Sequence, residues 1–135
     1  EGAMSEASDV PVIEMRGGLL GFPDMTRFAL IKMNDEGLVY RLQSLESEAV
    51  NFVVVPAMPF FPNYSPVVDD DVADRFNLAA GADVLVLLIV TLGETFKQST
   101  VNLMAPVLLD PARQVAEQVI IENADLSVRA PLMAA

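Results

Sequence analysis

"VLVLLIV", Val84 to Val90, constrains the architecture more than any other part of the chain. Its seven residues are all apolar, yet the run is only about a third of what a membrane-spanning helix requires. A short apolar run of this kind suits a strand buried on both faces. The chain around it reads as further strands separated by short turns.

Upstream, "VPVIEM" (Val10 to Met15) and "RFALIKM" (Arg27 to Met33) read as strands, separated by the glycine-bearing loop "RGGLLGFPD". "NDEG" (Asn34 to Gly37) has the chemistry of a hairpin turn. In "LVYRLQS", Leu38, Tyr40 and Leu42 face one way and Val39, Arg41 and Gln43 the other. Phe52 to Val55 forms a fourth strand, which Pro56 ends because it has no amide to give a ladder. Asp69 to Asn77 is the helix candidate. Asp69 caps it, Asp70 and Asp71 suit the first turn, Val72 and Phe76 share a face, and Gly81 closes it.

Downstream, Val84 to Leu92 and Val101 to Leu109 are strands joined by a polar loop holding Gly93 and Lys97. "DPAR" (Asp110 to Arg113) is a turn leading into "QVAEQVII", the last strand. Six or seven β segments and one short helix give a mainly β fold. The expectation is a small antiparallel β-barrel-like single domain over residues 10–132. Residues 1–9 are expected to be a disordered or expression-derived N-terminus, with Glu1-Gly2-Ala3 preceding Met4.

Composition removes several chemistries. The 135 residues contain no cysteine and no histidine. Disulfides, thiolate metal sites and every Ser-His or Cys-His nucleophile pair are therefore excluded. Nineteen acidic side chains against eight basic give a net charge of -11. Nucleic-acid affinity depends on neutralising phosphates, so direct DNA or RNA binding is not expected. A field of this sign favours encounter with basic proteins instead. With no spanning segment and no secretory signal in view, the expected location is the cytoplasm, without membrane contact.

One segment does not read as an ordinary strand or turn. In "FVVVPAMPFFPNYSP", Pro56, Pro59 and Pro62 recur every three residues, as do Met58, Phe61 and Tyr64. Three is the period of a polyproline II helix, which would place prolines on one side and large apolar groups on another. Two readings stay open: the row covers an end of the barrel, or part of it is an exposed anchor for a partner. Asn102, within "TVNLMAP", either satisfies local backbone or presents its amide to a partner.

Other candidates are weaker. Asp69, Asp70, Asp71 and Asp74 lack the ligand spacing and central glycine of an EF-hand, and read as a helix start with a solvated face. Glu46 with Glu48, and Glu117 with Glu122, are the carboxylate pairs to test for acid–base hydrolysis. Gly17, Gly18 and Gly21 do not form GxGxxG and supply backbone freedom in a tight loop.

Taken in order, these stretches resemble the flagellar assembly factor FliW family. The carrying residues are "GLLGF" (Gly18 to Phe22) with Phe28, "LQS" (Leu42 to Ser44) and the run from Phe52 to Tyr64. They continue through "VLVLLIVT", "TVNLMAPVLLDP" (Thr100 to Pro111), "QVII" (Gln118 to Ile121) and "VRAPL" (Val128 to Leu132). The resemblance implies a cytoplasmic, β-barrel-like protein without catalytic activity. It implies two protein partners: the carbon storage regulator CsrA, a basic RNA-binding dimer whose repression of flagellin translation is relieved, and flagellin itself.

The sequence departs from the family pattern in places. Glu6 to Pro11 is a short match to the usual opening strand, Ala116-Glu117 stands where a glycine commonly precedes Gln118, and the usual aromatic near Leu126 is absent. The residues expected to bind partners are Met58, Phe60, Phe61, Tyr64, Asn102 and Met104. No catalytic, cofactor-binding or metal-binding residue is expected. Two alternatives are a flagellin-binding chaperone without regulator antagonism and a carboxylate-dependent hydrolase.

Overall fold

The computed structural model describes residues 10–81, 83–122 and 125–132. The expectation for residues 1–9 lies outside them. In chain order the strands are β1 (Val12–Arg16), β2 (Arg27–Lys32), β3 (Tyr40–Ser44), β4 (Asn51–Pro56) and β5 (Leu85–Thr91). They continue with β6 (Thr100–Val101), β7 (Val107–Asp110), β8 (Val115–Gln118) and β9 (Ala130–Pro131). Two short helices, α1 (Ala57–Phe60) and α2 (Asp70–Arg75), lie between β4 and β5.

Strands β1 to β4 form an antiparallel meander. β4 then pairs with β5 from Val53↔Val90 to Pro56↔Leu87. β5 pairs with β7, and β7 with β8, both antiparallel. β8 closes on β1 in parallel, Glu14 opposite Val115. Seven strands, β1-β2-β3-β4-β5-β7-β8, thus make a closed barrel whose strands leave no free sheet edge. β6 and β9 extend the sheet beside the far end of β5. The β1–β8 contact is a parallel exception to the expected antiparallel pattern; the mainly β barrel is as expected.

Alternation of side chains along each strand explains the core. Ile13 and Met15, Phe28, Leu42, Val54, Leu87, Val107 and Leu109, and Ala116 point inward and are buried together. On β5, Leu88 and Val90 point the opposite way and are buried in a second cluster. The strand is therefore covered on both faces, as its unbroken apolar run implies. The outer cover has two parts. α1 and the aromatic segment after it, with β6 and β9, cover Val55, Leu88 and Val90. α2 seats Val72 and Phe76 against Leu108, Val119 and Ile121.

Four sequence expectations are corrected. The segment after Pro56 is not polyproline II: Ala57–Phe60 forms a helical turn in which the Phe61 amide donates to the Ala57 carbonyl at 2.7 Å. Pro59 is tolerated because it occupies the third helical position, where the amide has no intrahelical acceptor. This adds a second helix to the single one expected, itself slightly shorter than Asp69 to Asn77. Asp69 holds the N-cap position of α2 without a side-chain capping bond, and Gly81 closes a following 3₁₀ turn rather than α2. The Val101 to Leu109 strand is broken in two. Asn102 Oδ1 accepts from the Met104 amide at 2.9 Å, forming a turn, and Pro106 offers no amide to a ladder. Finally, β8 stops at Gln118 and is not the last strand, because β9 follows it.

Candidate protein-binding surface

β4 ends at Pro56, and α1 then buries Ala57 while turning Met58 outward. Met58 is 69 % exposed, the most open of the six expected partner-binding residues. Phe60, Phe61 and Tyr64 pack, partly buried, on the cluster of Val55, Leu88, Val90 and Val101. Each contributes to the barrel's cover and each keeps some surface.

Tyr64 also ties this segment to the turn between β6 and β7. Its hydroxyl donates to the Leu103 carbonyl. Burial pushes the phenol up to about 12, because its ionised form loses hydration there. Asn102 and Met104 flank Leu103, both half-buried. The Asn102 oxygen is used locally on Met104, and the Met104 carbonyl accepts from the Ile121 amide at 2.7 Å. The structure therefore brings Tyr64 together with the 102–104 turn. Met58 stands out from the row on the exposed side of α1.

A groove of about 670 Å³ adjoins this patch, with Tyr64 in its lining. The chain runs Tyr64 to Asp69 and Glu117 to Glu122 line it, with Val72, Arg75 and Leu126. Arg75 clasps Glu117 with two bonds, Nε at 3.1 Å and an Nη at 2.7 Å. Arg113 donates to the Arg75 carbonyl at 2.8 Å and to Asp110 at 2.7 Å, tying α2 to the β7–β8 turn. Sequence reasoning missed this groove. The signal available was the apolar "VII" at 119–121 continuing beyond a strand that ends among polar residues.

One member of each carboxylate pair, Glu46 and Glu117, takes a structural role. Glu46 accepts from the Thr26 and Arg27 amides, each at 3.2 Å, and so pins the start of β2. Glu117 and Glu122 both line the groove, but Glu117 is engaged by Arg75. Among the described residues, no group of three or more acidic side chains is placed to hold a metal ion. No described helix is long and apolar enough to cross a membrane.

Barrel, outer apolar patch and adjoining groove define a small β protein whose main surface features suit contact with other polypeptides. Residues 3–132 match the model of the family described as FliW protein, and the chain belongs to that family.

Flagellar assembly factor FliW of Clostridium novyi (strain NT) is 32 % identical over 127 residues, covering 94 % of this chain and 89 % of the relative. The protein of the same name from Shouchella clausii (strain KSM-K16) is 31 % identical over 121 residues, covering 90 % and 83 %. That from Bacillus subtilis (strain 168) is 30 % identical over 121 residues, covering 90 % and 85 %. A crystal structure of the flagellar assembly factor FliW superposes with a TM-score of 0.82 at 26 % identity, covering 93 % of this chain and 87 % of that one.

Proposed function

We propose that this chain is a non-enzymatic, cytoplasmic regulator of flagellar assembly that binds the carbon storage regulator CsrA and flagellin. Binding to the regulator antagonises its repression of flagellin translation; binding to flagellin sets how much antagonist remains free. The observation that carries this reading is the family match over residues 3–132, whose relatives are flagellar assembly factors.

Physical features support it. A net charge of -11 favours approach to a basic RNA-binding protein and repels RNA. Met58, the flanks of Phe60, Phe61 and Tyr64, and the turn carrying Asn102 and Met104 supply an apolar docking area of the kind that dominates binding energy. With a screening length of about 8 Å at physiological salt, repulsion of RNA acts only where acidic groups lie close to its path.

Titration with purified regulator and purified flagellin, separately and in competition, tests the proposal. Binding to both, with mutual displacement, is expected. Binding to flagellin alone identifies a chaperone without regulator antagonism, and binding to neither removes the proposal. Raising salt should slow association with the regulator; an unchanged on-rate eliminates electrostatic steering.

A further inference from the structure

We propose that the groove between the Ser65–Asp69 run and the Glu117–Glu122 stretch receives an extended, cationic and apolar segment of a partner polypeptide. The segment pairs through its main chain and is oriented by the carboxylates of Asp69 and Glu122. The proposal builds on the reading of this chain as a protein-binding factor, but not on which protein it binds.

The main chain around the groove is incompletely paired. Beyond β8 the chain continues against the β6–β7 turn: the Val119 amide donates to the Pro106 carbonyl at 3.0 Å and the Ile121 amide to the Met104 carbonyl at 2.7 Å. Alternation along extended chain turns the Ile120 amide to the opposite edge. β1 covers that edge only as far as the Arg16↔Glu117 pair, then leaves at Gly17. The Ile120 amide has no partner among the described residues, and neither do those of Ser65, Val67 and Val68. A helix has its own amides and carbonyls already paired, whereas an extended segment offers a free row of both.

Side chains define what kind of segment fits. Val68, Val72, Val119, Ile121 and Leu126 belong to the apolar cluster beneath the groove. Val67 is 85 % exposed and Ile120 is 53 % exposed, two branched apolar groups left in water at its margin. The groove's volume of about 670 Å³ falls within the range of ligand clefts. Its charge is one-sided. Arg75 is neutralised by Glu117, while the Asp69 and Glu122 carboxylates have no partner among the described residues. Asp70 and Asp71 add to the field at the start of α2. A strand alternating apolar and basic residues would set its apolar side chains on the floor and its cations at the rim.

The test uses two synthetic peptides, acetyl-Val-Lys-Val-Lys-Val-Lys-Val-amide and its Glu-for-Lys counterpart, titrated into the isotopically labelled full chain. The lysine peptide should bind, perturbing the amide resonances of residues 65–68 and 120–122, and the glutamate peptide should not. Ile120→Pro, which removes one unpaired amide, should weaken binding by about three- to tenfold. If that variant does not fold, Asp69→Lys with Glu122→Lys serves instead and should transfer preference to the glutamate peptide.

No binding of the lysine peptide at about 1 mM overturns the proposal. So do equal binding of both peptides, perturbations confined to another face, or an unchanged preference in the charge-reversed variant. Because neither peptide is flagellin or the regulator, this failure would leave the assignment of partners standing.

Discussion

The Tyr64 hydroxyl donates to the carbonyl of Leu103, joining the aromatic segment after α1 to the turn that separates β6 from β7. The bond links residues 39 positions apart and holds the outer cover of the barrel against β5 and β6. Burial of the same side chain should make the cover sensitive to alkali. Burial raises the phenol from 10.0 to about 12, so the unfolded chain loses this proton first as pH rises.

Stability from this group should be fully present below pH ~10 and be lost as pH climbs through ~12. Tyr64→Phe should remove that part of the alkaline decline. At neutral pH it should cost about 1–2 kcal/mol, because the Leu103 carbonyl loses its donor. Urea unfolding of both proteins from pH 7 to pH 12 checks this. Parallel alkaline slopes would show that Tyr64 does not set the decline.

Met58 and Phe61 should separate binding from stability. Met58 is 69 % exposed, so Met58→Ala should move stability by less than about 0.5 kcal/mol. If it anchors a partner, the same change should cost more than ~1 kcal/mol of binding. Phe61 packs partly on the Val55 and Leu88 cluster. Phe61→Ala should therefore cost roughly 1–3 kcal/mol of stability, below the ~3–5 expected for a fully buried phenylalanine. Calorimetric titration beside thermal unfolding distinguishes the two residues.

What was legible in the sequence was what local chemistry determines. The unbroken apolar run of β5 announced burial on both faces, and Asp110-Pro111 announced the turn before β8. The failures have physical causes. Prolines every three residues suit a polyproline helix, but they also suit a single helical turn whose first amides need no partner. Packing of Ala57 and Phe60 on β5 selects the turn. Asn102 within an apolar run reads as strand, but its side chain accepts from the Met104 amide and turns the chain there. β9 is two residues long and has no period to read. The parallel closure of β8 on β1 joins chain segments about 100 residues apart, and the groove beside it joins segments about 50 apart, which no local pattern encodes.

Gly18 and Gly17 offer a matched pair for testing the "GGLLGF" loop. Both have positive φ, +72° at Gly17 and +68° at Gly18. A methyl group at Gly17 meets nothing within 4 Å, whereas one at Gly18 falls 2.5 Å from the carbonyl oxygens of Phe22 and Pro23. Gly17→Ala should cost about 1 kcal/mol, the strain of a left-handed residue. Gly18→Ala should cost clearly more, above ~2 kcal/mol, since the neighbours it strikes are backbone. Equal losses in chemical denaturation would mean that the loop relaxes to accommodate both.

Asp110 should govern part of the acid limb of stability. It lies at the end of β7, only 6 % exposed. Its carboxylate accepts from Arg113 Nε at 2.7 Å and from the Ala112 and Arg113 amides at 3.1 and 3.2 Å. The Arg113 side-chain bond foremost, with those amides, holds the carboxyl below its ordinary value of 3.8, against the opposing effect of desolvation. A depressed folded value means that this contribution is complete above the unfolded carboxyl's range near pH ~4, and disappears as pH falls through the folded value. Asp110→Asn keeps one acceptor oxygen but loses the charge. It should lower stability at pH 7 and flatten the decline below pH ~4. Denaturant midpoints of the two proteins between pH 7 and pH 2 provide the measurement. A variant as stable as the parent at pH 7, with an unchanged acid slope, would show that the Asp110 charge contributes nothing at this turn.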